Sequence, residues 1–401
     1  VLGLLVAAWL SAGAAPLRDA LSGTPRPVDF ARDYVAAHAR VHLGRGAPPA
    51  GEAGNVYAAR VGAPRVVLLD GPYFIHPPPA LLAVVPLVPL GFAGAAWAWA
   101  ALSLAALVAL AFFLLEAARD ERPRSSHVAL LAAALLAWPP VLHNFAKGQW
   151  SLLLAALVAA GWSALGRGRA RGAGALFGLA ASLKATPVLL LGWLALRHRR
   201  AAGAMAATLA ATGLLSLAAN GWAPWAAWLA DAPRDVAAWQ TWTANTVSLN
   251  GLVGRLFAGG PYARAVVEAP ALARGATIAL SLALVAALAA ATRRASRADE
   301  RAVFAGWGAL VVLLNPLAWT HTAVLALLPL VLLARRAPVI SALVFVGLTI
   351  PRETLAALAG PAPVAPLPGL ALSLHAGAVL TLYAAALVSA RSSTGSAASP
   401  P

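Results

Sequence analysis

The sequence predicts an all-α polytopic membrane protein, a bundle of about twelve transmembrane helices, on three observations. Hydrophobic residues make up 61% of the 401, and only 11% are charged, against roughly 25% in soluble domains. Runs such as Ala95 to Leu115 and Leu272 to Ala291 supply the roughly 20 apolar residues that a helix needs to cross a bilayer. The basic residues, 28 of 30 of them arginine, gather in short clusters between apolar runs. A net charge of +16 so distributed is a signal of topology before it is one of nucleic acid.

The elements follow from the arginines, which favour the cytoplasmic side. Six clusters are assigned inward: Arg119, Arg122 and Arg124; Arg167, Arg169 and Arg171; Arg197, Arg199 and Arg200; Arg293, Arg294, Arg297 and Arg301; Arg335 and Arg336; and Arg391. They hold 16 basic residues, and most of the other 14 are spread thinly over 17–94, 143–150, 220–270, 315–322 and 351–370, which are assigned outward. Both termini then lie inside. Residues 1–16 form the first crossing, with a cleaved signal peptide as the competing reading. Residues 172–196 run between two inward clusters, which requires a hairpin of two short helices with Lys184 and Pro187 at its tip. Residues 77–91 are apolar but bounded by proline, and are placed as a helix along the outer interface. The chain from 1 to 391 is one transmembrane domain, and 392–401 is a disordered tail by composition. No cysteine is present, which excludes disulfides, thiol nucleophiles and Cys-ligated metals.

Nearly every unusual polar residue falls on the outer side of this threading. In the first outer segment (17–94), Phe30, Tyr34, Ala37 and Val41 mark the apolar stripe of an amphipathic helix, with Asp29, Asp33 and Arg40 on its other face. Two carboxylates one turn apart repel, which raises the pKa of one and makes it a better base; a merely solvated face is the plainer reading. Tyr73-Phe74-Ile75-His76-Pro77-Pro78-Pro79 is a helix start, which accounts for the prolines and leaves His76 at the membrane surface beside the acidic helix. The turn His143-Asn144-Phe145-Ala146-Lys147-Gly148-Gln149-Trp150 is too polar for a mere connection. Lys184 is costly in hydrocarbon unless paired or hydrated; snorkelling to the interface is the alternative to a functional role. Trp222, Trp225, Trp228, Trp239 and Trp242 in the 220–270 loop suit a headgroup belt, and one or two could stack on a sugar. Asn245, Ser248 and Asn250 follow them. Asn315-Pro316 ends a helix, which leaves Trp319 and His321 beyond it.

In this order the pieces resemble glycosyltransferase family 87, membrane enzymes of the GT-C class that include polyprenol-phosphate-mannose-dependent mannosyltransferases. The resemblance rests on Asp29-Phe30 with Tyr34, Pro77-Pro78, Asn144 with Gly148-Gln149, Lys184 and Pro187, Asn245 with Ser248 and Leu249-Asn250-Gly251, and Pro316, Trp319 and His321. His76 stands where the family usually has tyrosine, and Gly44 to Gly71 is less typical of it.

What the resemblance implies is a GT-C-like bundle at the inner (plasma) membrane, its site facing the periplasm or exterior. It implies inverting transfer of a sugar, mannose by family, from a polyprenyl-phosphate donor to a glycolipid or glycan acceptor, with Asp29 as base. Asp33, Tyr34, His76, Asn144, Lys147, Gln149, Lys184, Asn245, Trp319 and His321 are the expected substrate-binding residues, with Lys184, Lys147 and His321 toward the departing phosphate. No metal, cofactor or nucleic acid is called for. A transporter or flippase is the alternative, but such carriers usually keep acidic residues in mid-span, and none is placed there. A membrane assembly factor would leave Asp29, Lys184 and His321 without a role.

Overall fold

The structure is a computed structural model that describes residues 28–44, 52–64, 76–119, 122–230, 246–260, 263–360 and 364–391. The expected first crossing, Tyr73 and Phe74, Trp239, Trp242 and Asn245, and the 392–401 tail lie outside the described residues. All named elements are helical, and the two β-bridges are isolated.

Among the described residues, four helices are long and apolar enough to cross a membrane: Pro79–Arg119, Arg199–Asn220, Pro270–Arg294 and Leu370–Ala390. Two further pairs, Ser125–Leu136 with Pro139–Lys147 and Pro338–Thr349 with Arg352–Ala359, bend by 75° and 78° and bring the number to six if each is one span. Proline causes both breaks, because it lacks the N–H that would continue the helix: Pro139-Pro140 opens one second helix and Pro351 caps the other. Ser151–Gly166, Thr186–Arg197 and Thr320–Ala334 are apolar but shorter. Large apolar side chains such as Leu214, Leu215, Ile278, Leu282 and Leu343 are exposed, as helix faces toward lipid would be.

The described residues pack as two units. One draws on Val1–Phe113, Arg124–Pro187 and Gly203–Ala237, the other on Leu114–Pro123, Val188–Ala202 and Ala238–Pro401.

In the first unit, Ser151–Gly166 packs along Ala170–Leu183, where Gly161 lets the Phe177 ring come so close that a Cβ would meet it at 2.7 Å. The amphipathic helix Val28–Leu43 forms as expected, but its surroundings differ. It packs on Pro79–Val84, on the 3-10 turn Val85–Leu90 and on Pro139–Lys147, which buries Phe30, Tyr34 and Ala37 and Asp33 as well. The acidic face is therefore no solvated face at Asp33, and Val41, expected in the stripe, is exposed. Gly91, at φ +67°, turns the proline-rich segment into the long helix Gly91–Arg119.

In the second unit, Glu300–Leu313 is the central helix, buried from Ala302 to Leu313 against Leu374–Arg391 and Leu327–Ala334. Small residues allow the close approach: a Cβ on Gly308 would lie 2.5 Å from Pro329, and one on Gly306 2.8 Å from Leu288. Several inward-assigned arginines make their contacts within this unit. Arg197 and His198 bind Glu300, Arg336 binds Asp299 at 2.7 Å, and Arg301 and Arg335 donate to the carbonyls of Ala117 and Ala118. Clusters far apart in sequence are thus tied to one another within this unit.

Candidate active site

The first unit brings together Asp29, Asp33, His76, Gln149, Trp150 and Lys184, which come from four separate stretches of chain. The turn 148–150 organises them. Pro139–Lys147 ends in a left-handed Gly148 (φ +66°, ψ +44°), so the Gln149 N–H reaches back to the Asn144 carbonyl at 2.9 Å. The Asn144 side chain is fully buried, and its Oδ1 accepts the Leu152 N–H at 3.2 Å, so that Asn144 holds both the end of one helix and the start of the next. Trp99 Nε1 donates to the Gly148 carbonyl at 3.0 Å.

From this fixed turn two adjacent side chains reach the two carboxylates. Gln149 Nε2 donates to Asp29 Oδ2 at 2.7 Å, and Trp150 Nε1 donates to Asp33 Oδ2 at 2.7 Å. The carboxylates lie one helical turn apart, so a pair of neighbouring donors can serve both. Asp29 is half-buried, and among the described residues its Oδ1 carries no hydrogen bond. Asp33 is 2% exposed. Burial, more than the charge of Asp29, pushes its carboxyl up to about 7, while the Trp150 hydrogen bond and then the charges of Arg32 and Lys184 act in the opposite direction. The sequence expectation that one carboxylate of the pair is raised holds for Asp33, but desolvation rather than repulsion is the larger cause.

His76 is inside the protein rather than at its surface: it is 6% exposed, stands edge-on to Trp150 with ring centroids 5.6 Å apart, and places Nε2 3.7 Å from Asp33 Oδ2. Burial first, and then the charges of Lys184 and Arg32, hold its imidazole well below the ordinary pKa. Lys184 is half-buried in extended backbone (φ −150°, ψ 125°) where Ala170–Leu183 ends and before Thr186–Leu189 begins, and both carboxylates feel its charge. Lys147, the last residue of its helix, is also half-buried. Tyr34 is buried in packing instead of lining open space, with its hydroxyl donating to the Val88 carbonyl at 3.4 Å.

The second unit has a polar cluster of its own. Thr246 bridges to Trp319 and the Val247 N–H donates to the Ala318 carbonyl at 2.8 Å, so two motif pieces about seventy residues apart become neighbours. Ser248 caps Leu249–Phe257 by accepting the Gly251 N–H at 3.1 Å. Asn250 and His321 are buried, and the His321 ring stands edge-on to the half-buried Trp319. Sequence reasoning missed Trp150 and Trp99 as parts of the first cluster. The available signal was a tryptophan next to Gln149 in a polar turn, since a buried indole needs an acceptor for its N–H.

No curated protein and no solved structure matches the chain. The family model described as glycosyltransferase family 87 matches residues 74–316, which takes in His76, the 143–150 turn and Lys184 and begins after the acidic helix. A match over more than half of its length, with these residues inside it, places the chain in glycosyltransferase family 87.

Proposed function

We propose that this glycosyltransferase transfers a sugar, mannose by family expectation, from a polyprenyl-phosphate donor to an acceptor hydroxyl at the outer face of the plasma membrane, with inversion. The twelve-crossing threading with both termini inside belongs to this reading. The supporting observation is the half-buried Asp29, held through Oδ2 by Gln149 and with the Lys184 charge close by. Asp29 Oδ1 takes the proton of the acceptor hydroxyl as its oxygen attacks the anomeric carbon. The bond from that carbon to the phosphate oxygen breaks, and its electron pair leaves with the polyprenyl phosphate. Negative charge grows on that oxygen in the transition state, where the fixed cation Lys184, with Lys147 at the neighbouring helix end, stabilises it. An acceptor glycolipid or glycan reaches this point from the outer water, and the donor chain stays in the bilayer.

Membranes from a host expressing the protein, compared with the same host without it, test this with radiolabelled polyprenyl-phosphate mannose. Wild-type membranes are expected to pass label to an extractable acceptor, and Asp29→Asn to lower that transfer by about 100-fold or more. Equal transfer by Asp29→Asn would remove Asp29 as the base. Labelling from a nucleotide-linked mannose alone would overturn the donor class.

A further inference from the structure

We infer that Trp150 is a positioning residue: by donating to Asp33 it fixes the Val28–Leu43 helix on the 148–150 turn, and so sets the aim of the Asp29 carboxylate one turn away. This rests on Asp29 being the base.

The geometry has two parts. The turn is over-determined, since Gly148 is held by Trp99 and by its left-handed cap, and Gln149 by the Asn144 carbonyl. Trp150 is 1% exposed and locked edge-on to Trp99 at 4.5 Å, so its N–H has one direction to point. The helix, by contrast, meets this turn through two side-chain bonds of equal length, Gln149 to Asp29 and Trp150 to Asp33. A single bond from the flexible Gln149 side chain would let the carboxylate swing. The second bond, from a rigid indole to an acceptor on the same helical face, removes that rotation. The Phe30 ring stacks on Trp99 at 5.0 Å and supports the same contact, but apolar packing does not dictate direction as a buried hydrogen bond does.

Trp150→Phe keeps most of the ring and removes the donor. Turnover of polyprenyl-phosphate mannose by the full chain in membranes should fall about 10- to 100-fold, the loss expected from a misplaced catalytic group. KM for the donor should stay within about threefold, since binding is not the step affected. Asp33→Asn keeps an oxygen that can accept the indole N–H and should keep the helix on the turn, which the distance measurement below reads without turnover. Asp33→Leu should fall with Trp150→Phe, and the double variant should be no worse than either.

An activity-independent readout uses the absence of natural cysteine. Spin labels at the exposed Val41→Cys and Ala146→Cys report the distance from the helix to the turn. Trp150→Phe and Asp33→Leu should broaden or shift that distribution, and Asp33→Asn should preserve it. Wild-type turnover in Trp150→Phe with an unchanged distribution overturns the inference. So does an Asp33→Asn variant as inactive as Asp29→Asn, which would make Asp33 a catalytic group. If Asp29→Asn transfers normally, the general-base reading fails, and the distance distribution alone decides whether Trp150 fixes the helix.

Discussion

His76 Nε2 lies 3.7 Å from Asp33 Oδ2, beyond hydrogen-bond reach, and both side chains are buried. Burial penalises the charged form of each, so it pushes the acid up and the imidazole down in pKa. The two groups therefore affect stability in opposite senses. With its folded pKa at about 7 and an ordinary value of 3.8, Asp33 contributes stability that is full below about pH 4 and is lost as pH rises through about 7. His76, whose ordinary value is 6.5, penalises the folded state as pH falls below that value, because only the unfolded chain takes up the proton.

Single substitutions should separate the two slopes. In detergent micelles, the thermal midpoint of Asp33→Asn relative to the wild type is expected to rise as pH rises from about 5 to 7, because the downward slope that Asp33 contributes is gone. That of His76→Gln, again relative to the wild type, is expected to fall as pH rises from about 5 to 6.5, because the upward slope that His76 contributes is gone. Midpoints of both variants that track the wild type across this range would show that neither group titrates as its burial implies.

The topology is testable by cysteine labelling in the naturally cysteine-free chain. Ala146→Cys, exposed beside the 148–150 turn, should react with an impermeant thiol reagent added outside intact cells. Arg169→Cys and Ala298→Cys, exposed within inward-assigned clusters, should react only after permeabilisation. The opposite pattern would reverse the threading and move the site to the cytoplasm.

Much of this arrangement is visible in the sequence, for identifiable reasons. Apolar periodicity marks the Val28–Leu43 helix, and Lys184 marks the interruption before Pro187. The pairing of Gln149 with Asp29 is not visible, since 120 residues separate them and no periodic signal reports a tertiary contact. Trp150 is hidden by a competing explanation, because tryptophan near a span end reads as a headgroup anchor. His76 is misplaced for a related reason: an imidazole beside prolines reads as interfacial, and its burial depends on Trp150 packing against it. The number of spans is the least legible feature, because proline kinks and short helices separate apolar length from crossing.

Helix contact in the first unit predicts a contrast between two glycines of Ala170–Leu183. A Cβ at Gly178 would fall 2.7 Å from Thr208 Cβ and 2.9 Å from the Met205 carbonyl oxygen, a collision with backbone that rotation cannot relieve. Gly172 has nothing within 4 Å. Gly178→Ala should cost about 1–3 kcal/mol, as overpacking does, whereas Gly172→Ala should be neutral or add up to about 1 kcal/mol by restricting the unfolded chain. Thermal midpoints in detergent compare them, and equal midpoints would mean that the Arg199–Asn220 helix does not pack where the structure has it.

Lys184 offers the sharpest separation of chemistry from packing. It is half-buried at a helix break, and its charge acts on both Asp29 and Asp33. If it only snorkels, the apolar stem matters and the ammonium does not, so Lys184→Met, which keeps most of the stem, should fold and transfer sugar like the wild type. If it faces the leaving phosphate, a charge in a water-poor site is worth several times its value in water, and Met should lower turnover sharply in a protein that still inserts. Lys184→Arg keeps the charge in a wider, planar head, so partial activity is expected of it. Unlike the Trp150 and Asp33 variants, Lys184→Met should also weaken binding of polyprenyl phosphate itself, because the cation meets the phosphate in both donor and product. Unchanged polyprenyl-phosphate binding together with full turnover in Lys184→Met would take Lys184 out of the site and leave Lys147 as the first unit's candidate for the phosphate.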